Sequence, residues 1–186
     1  MLFDFFVELD TDLFLYLNSF HSNTWDEIMW WVSNKYSSIP IYLAILFFVL
    51  KKYKLKGFIF VIALILSVTI ADKLSVHLFK NVFERLRPCH NPDIANLVHI
   101  VKNKCGGQYG FISSHATNSF VVAVFSSLIF KNKYFSFFII LWAVIVSYSR
   151  IYLGVHFPAD VIGGAFFGSI IAYVSYFFSQ KLVNKT

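Results

Sequence analysis

The stretch SSHATNSFVVAVFSSLIFKNKYFSFFIILWAVIVSYSRIYLGVHFPAD, residues 113–160, decides the fold. It holds two apolar runs, Ala116–Phe130 and Tyr134–Tyr148, joined by the polar link Lys131–Lys133. Crossing a bilayer takes roughly 20 residues, so each run must borrow turns from polar sequence at one end. Those borrowed turns must face protein or a wet cavity, because lipid penalises them. Two crossings return the chain to the side it left. The polar clusters that flank the pair, Ser113-Ser114-His115 and Ser149-Arg150, therefore reach the same membrane face.

Outward from this hairpin lie three more apolar stretches: Tyr36–Leu50, Phe58–Ile70, and Val161–Phe178, the last broken only by Gly and Ser. The pattern predicts one all-α domain over residues 1–186, a polytopic transmembrane helical bundle with its membrane part at residues 36–180. Residues 1–35 mix apolar positions with Asp4, Glu8, Asp10 and Asp12 and add Trp25, Trp30 and Trp31. Amphipathic helices lying in the interface account for this best, since Trp favours the headgroup level; a sixth span using part of the segment is the alternative. Composition agrees. Charged residues are 14% of the 186, against about 25% in a soluble domain, and hydrophobic residues are 58%. Such a chain cannot cover a water-facing surface, so the bilayer is its solvent.

The net charge of +6 invites a nucleic-acid reading, but no basic helix, zinc pattern or aromatic strand motif supports one. The basic residues instead clump as the positive-inside bias requires. Lys51, Lys52, Lys54 and Lys56 share one connection, Lys131 and Lys133 another, and Lys181 and Lys185 the tail. Counting spans puts all three on one side, predicted to be the cytoplasm of a cell (inner) membrane. Residues 80–110 and 149–160 then face outward. The acidic start MLFDFFVELDTD lacks the basic region and cleavage site of a signal peptide. Cys89 and Cys105 fall in the outward loop, where an oxidising compartment favours a disulfide over two free thiols. The cysteines and nearby His90 and His99 lack tight metal-ligand spacing.

The chemistry is carried by three clusters: KNVFERLRP from Lys80, FISSHATNS from Phe111, and SRIYLGVHFPAD from Ser149. Lys80, Arg87 and Arg150 supply cations; the planar fork of Arg donates paired hydrogen bonds to phosphate oxygens. Ser113 and Ser114 precede an apolar helix, whose free N–H groups and positive dipole end would face the same anion. His156 and Asp160 are four apart with Pro158 between them, a residue that suits a first helical turn. A carboxylate on one ring nitrogen fixes the tautomer and leaves the other nitrogen free to attack. His115 is placed to protonate the departing alkoxide. The set reads as catalytic His156, His115 and Asp160, with Lys80, Arg87, Ser113, Ser114 and Arg150 on phosphate.

In order and spacing these residues resemble the type 2 phosphatidic acid phosphatase family, which shares its site and helical core with vanadium haloperoxidases. The family pattern K-x6-R-P, P-S-G-H, S-R-x5-H-x3-D is met at Lys80, Arg87, Pro88, Ser149, Arg150, His156 and Asp160. The resemblance covers about residues 36–180. It implies that His115 is the general acid and His156 the nucleophile, and that no metal or cofactor is needed. The middle block departs: Ile112 stands for the usual Pro and Ser114 for the usual Gly. Gly permits a closer backbone approach than Ser, so that contact is the part of the pattern in question.

Other polar residues read as structural. His21, His77, His90 and His99 are expected to be satisfied structural side chains, Asp72 and Lys73 to form a buried polar contact, and Arg85 to meet solvent or head groups. Gly164 and Gly168 make a small-xxx-small packing pair. The expected activity is hydrolysis of a membrane lipid phosphate at the extracytoplasmic face. Undecaprenyl diphosphate is the first choice, with lipid A phosphate and phosphatidylglycerol phosphate next. A phosphotransferase would use the same phosphohistidine, and a lipid-phosphate transporter would need the cations without the His156–Asp160 pair. A haloperoxidase would need vanadate.

Overall fold

The computed structural model describes residues 2–185. The chain forms α1 (Leu2–Asn18), α2 (Asn23–Val32), α3 (Ile39–Tyr53) and α4 (Gly57–Leu74). A π-helical segment (Ser75–Lys80) continues α4 into a last turn, α5 (Asn81–Phe83). After an irregular loop come α6 (Ser114–Phe130), α7 (Lys133–Tyr152) and α8 (Pro158–Lys185). Every apolar run of the sequence becomes a helix and extends past the run at one or both ends. Each extension reaches toward polar side chains that would be costly in lipid.

α6 lies at the bundle's axis, which its sequence allows because small residues alternate with apolar ones. Val121, Ala123, Phe125 and Ser126 are all fully buried on it. α8 packs along α6 closely enough to require glycine: a Cβ on Gly168 would sit 2.3 Å from the Thr117 carbonyl oxygen, and one on Gly164 2.6 Å from that of Ser113. The predicted small-residue pair is thus the seam that presses the start of α8 against the first turn of α6. The Ser113 N–H donates to the Asp160 carbonyl there, at 2.9 Å. α3 and α4 close the far side around Ile45, Val49, Phe60, Val122 and Ile129. The outward faces of α3, α4, α7 and α8 display Phe47, Phe58, Phe137, Phe166 and Phe178. In water these would form an aggregating surface; in a bilayer they face acyl chains.

The three lysine-bearing segments meet at one end of the bundle. Lys52 Nζ donates to the Ile129 carbonyl at 3.0 Å and Lys56 Nζ to that of Val183 at 3.5 Å. Each lysine thereby satisfies an open carbonyl at a helix C-terminus, where the dipole favours a cation. The other end carries the polar clusters. α1 crosses that end rather than running beside the bundle. Asn18 Nδ2 donates to the last carbonyls of α7 (Tyr152 at 2.8 Å), and Asp10 Oδ1 accepts from the Ala159 N–H at 2.8 Å.

The loop between α5 and α6 is held by one bridge and one covalent link. Leu86 pairs with Tyr109 in an isolated antiparallel bridge, and Cys89 is bonded to Cys105 with Cα atoms 6.0 Å apart. In the chain-entropy model a loop of this size is worth about 3 kcal/mol. Replacing both cysteines by serine is therefore expected to lower the midpoint of thermal unfolding in detergent by roughly 6–12 °C. An unchanged midpoint would show that the link does not constrain the unfolded chain.

Candidate active site

Lys80, Arg87, Ser113, Ser114, His115, Arg150, His156 and Asp160 come together at the end of the bundle opposite the lysines. Each is set by its own local structure. Lys80 closes the π-helical segment, a widened turn of the kind that often marks a functional position. Its Nζ donates to Ser114 Oγ at 3.0 Å, and that hydroxyl also pairs with Ser75 Oγ at 2.8 Å. Ser114 therefore does what a glycine could not: its side chain seats a cation. Ser113 caps α6, its Oγ lying 3.5 Å from the Ala116 N–H, and it is fully buried. His115 follows in the first turn of α6.

Arg87 sits in the disulfide-linked loop. Its Nε donates to the Tyr109 carbonyl and its Nη1 to the Cys105 carbonyl, both at 3.2 Å, which aims the fork. Burial lowers its proton affinity and Asp160 opposes that loss; an arginine stays a cation here. Arg150, in the last turn of α7, donates to the Ser33 hydroxyl. Its Nε is buried and has no partner among the described residues. A buried guanidinium donor without an acceptor is costly unless a ligand supplies one.

His156 and Asp160 form the pair that the spacing predicts. His156 is 1% exposed and Asp160 fully buried, with Nδ1 3.2 Å from Asp160 Oδ2. The same Oδ2 accepts from the Phe157 N–H at 3.0 Å. Burial, followed by Arg87, Arg150, Lys80 and Arg85, pushes the His156 imidazole well below its ordinary protonation range. The ring is then neutral, and the nearby carboxylate assigns its one proton to Nδ1, donated to Asp160 Oδ2, leaving the lone pair on Nε2. Arg150, His156, Lys80 and Arg87 all act electrostatically on His115, so the three cations and both histidines share one field. His115 also borders a cavity of about 250 Å³, with Ser33, Asn34, Lys35, Asp72 and Asn118 around it. The arrangement can bind a dense anion between two imidazoles, one backed by a carboxylate and one bordering a cavity lined by both polar and apolar side chains.

Two expectations change. Arg85 does not face solvent or head groups: its Nη1 donates to Asp160 Oδ1 at 2.9 Å and its Nη2 to Asp10 Oδ2 at 2.6 Å. Asp72 and Lys73 form no buried contact. Both are exposed, and Asp72 Oδ1 accepts from Asn118 Nδ2 at 3.0 Å. Ser33, Ser75 and Asp10 were not legible as site neighbours, because they lie outside the three motif blocks and only packing brings them in. His99 is satisfied as expected, by Asp26 Oδ1 at 3.0 Å, and stacks on His21 at 3.7 Å.

With the geometry established, similarity to known proteins narrows the reading. A family model described as PAP2 superfamily matches residues 56–184. The chain is similar to the lipid A 4'-phosphatase of Bacteroides thetaiotaomicron, 39% identical over 185 residues, covering 98% of this chain and 82% of the relative. It is also similar to the lipid A 4'-phosphatase of Porphyromonas gingivalis, 40% identical over 176 residues, covering 93% and 74%. The crystal structure of a transmembrane PAP2 type phosphatidylglycerolphosphate phosphatase from Bacillus subtilis superposes with a TM-score of 0.68 at 23% identity, covering 97% of this chain and 94% of that one. At that identity the superposition speaks for the fold.

Proposed function

The chain belongs to the PAP2 superfamily and is an integral-membrane lipid phosphatase of that type, and from this premise we propose that it removes the 4'-phosphate of lipid A. Undecaprenyl diphosphate loses its place as first choice, since both relatives above are named for lipid A. The observation that carries the site reading is the pairing of a neutral, carboxylate-backed His156 with His115 across the Lys80–Arg87–Arg150 cluster. His156 Nε2 attacks phosphorus while the P–O bond to the sugar oxygen breaks, and His115 gives that oxygen a proton. Water then attacks phosphorus as the P–N bond breaks, and its proton goes to His115, which restores both histidines and frees phosphate. Lys80, Arg87 and Arg150 hold the equatorial oxygens as charge shifts between them. The side chains of Ser33, Asn34, Asp72 and Asn118, set among apolar neighbours such as Trp142 and Val146 beside His115, offer a sugar leaving group partners for its hydroxyl and amide groups.

The active site is assigned to the extracytoplasmic face of the cell membrane. Two features support this: the lysine-rich ends gather at the opposite end of the bundle, and the Cys89–Cys105 link lies on the site's side. The test is phosphate release by purified protein in detergent, with EDTA present, from lipid A, phosphatidylglycerol phosphate and undecaprenyl diphosphate. Release at least tenfold faster from lipid A is expected, with no loss to the chelator. Faster release from either other lipid would overturn the substrate assignment. Transfer of phosphate to a second lipid without free phosphate would favour a phosphotransferase.

A further inference from the structure

Behind His156 the motif residues stop, but the hydrogen-bonded chain does not. Asp160 Oδ2 serves His156, and Asp160 Oδ1 takes Arg85 Nη1 at 2.9 Å. Arg85 Nη2 in turn meets Asp10 Oδ2 at 2.6 Å, and Asp10 Oδ1 receives the Ala159 N–H at 2.8 Å. The Arg85 guanidinium also lies over the Phe157 ring, 4.2 Å from its centroid. Phe157 is in turn packed edge-on against the buried Phe14 of α1, centroids 5.3 Å apart. A Cβ at Gly110 would come 2.9 Å from Asp160 Oδ2, so the backbone closes the carboxylate in from the other side. Asp160 is thus held at both oxygens, and one of its holders is anchored on a helix that precedes the matched family region, residues 56–184.

We propose that Arg85 and Asp10 are positioning residues for the His156–Asp160 pair, so that α1 is part of the catalytic apparatus. The inference rests on the assignment of His156 as nucleophile. Two physical needs argue for it. A fully buried carboxylate needs a compensating cation to stay ionised, and Arg85 is the cation in direct contact. Arg85 itself is tied down by two carboxylates rather than turned to the phosphate cluster, so it orients Asp160 and does not take a substrate oxygen. Asp10 has a double task. One oxygen fixes Arg85, and the other satisfies an open N–H in the first turn of α8, whose start carries Asp160. The lipid-facing side of α1 exposes Phe5, Phe6, Leu9 and Leu13. The seating of that helix in the membrane therefore bears on the aim of His156.

The test compares Arg85→Ala, Arg85→Lys and Asp10→Asn with the parent protein. Four quantities are read: kcat, KM, inhibition by inorganic phosphate, and the ¹⁵N signals of labelled histidine. Arg85→Ala is expected to lower kcat about 100-fold with KM and phosphate inhibition within threefold, because the phosphate cluster is untouched. Arg85→Lys, or added guanidinium, should restore about a tenth of the activity. Asp10→Asn should fall about tenfold. In the ¹⁵N spectrum the parent should show one His156 tautomer with the proton on Nδ1, and Arg85→Ala a mixture. An undiminished kcat in Arg85→Ala overturns the proposal, as does a rise in KM and weaker phosphate inhibition at constant kcat. A loss in Arg85→Ala that neither lysine nor guanidinium repairs and that tracks thermal instability would make the role merely structural. The tautomer signal needs no lipid, so a protein inactive on every substrate but with the predicted spectral change would sink the functional reading and keep this one.

Discussion

His156→Ala is expected to reduce phosphate release from lipid A by about 10⁴- to 10⁶-fold, the range seen when a covalent nucleophile is removed and only the binding cluster remains. Binding should survive, because Lys80, Arg87 and Arg150 are donated by other elements. The loss follows from how the imidazole is kept: buried, neutral, and fixed through Nδ1 by Asp160. No neighbouring group can replace Nε2 at the same point. His115→Ala should be milder, about 10²- to 10⁴-fold, and its size should depend on the leaving group. An aryl phosphate leaves as a stabilised anion and needs no proton, so His115→Ala should cost it tenfold or less while lipid A suffers the full loss. His156→Ala should damage both substrates alike. If His156→Ala retained more than a hundredth of the parent rate, the nucleophile would have to be sought elsewhere. If His115→Ala harmed the aryl and sugar phosphates equally, its proton would not be going to the leaving oxygen.

Much of this was legible because the membrane makes sequence rules strict. A run such as Tyr134–Tyr148 can only be a helix in lipid, and two such runs force Ser113–His115 and Arg150 to the same face. The Lys80–Arg87, Ser149–Arg150 and His156–Asp160 spacings are local, so turn geometry could be anticipated from the sequence. What was not legible depends on packing between distant segments. Nothing near Asp10 in sequence points to Ala159, and Arg85, two residues before Arg87, carries no mark to separate a headgroup-facing arginine from one buried against Asp160. The Ser114 substitution is a related case. Read locally it removes a backbone freedom; in the folded chain its hydroxyl joins Lys80 to Ser75. The order of the candidate substrates was not legible for another reason. It rested on the compactness of the chain, whereas the cavity beside His115 is built from Ser33, Asp72, Asn118 and their neighbours on five helices and a linker, which no local spacing reveals.

Replacing Arg150 is expected to separate binding from stability. Arg150→Met keeps volume and removes the charge, and it should lower kcat/KM for lipid A by about 10³-fold, as loss of a preorganised donor facing a developing charge does in a dry site. Arg150→Lys should recover less than a tenth of that, since an ammonium cannot supply the planar pair of donors. The ligand-free protein should respond in the opposite sense. Arg87 and Arg150 act on each other unfavourably, and Lys80 feels both, while the Arg150 Nε has no acceptor among the described residues. Removing that charge relieves a repulsion that Asp72 and Asp160 oppose at Lys80, and Asp160 at Arg87, and that bound phosphate would offset further. The thermal midpoint of Arg150→Met without ligand should therefore be no lower than the parent's, and the rise that phosphate produces in the parent, set by RT ln(1 + [L]/Kd), should disappear. A variant that is much less stable without ligand yet still stabilised by phosphate would show that Arg150 holds α7 to Ser33 and not the anion. The expected pair of results would show that the charge of Arg150 serves the anion at the expense of the ligand-free fold.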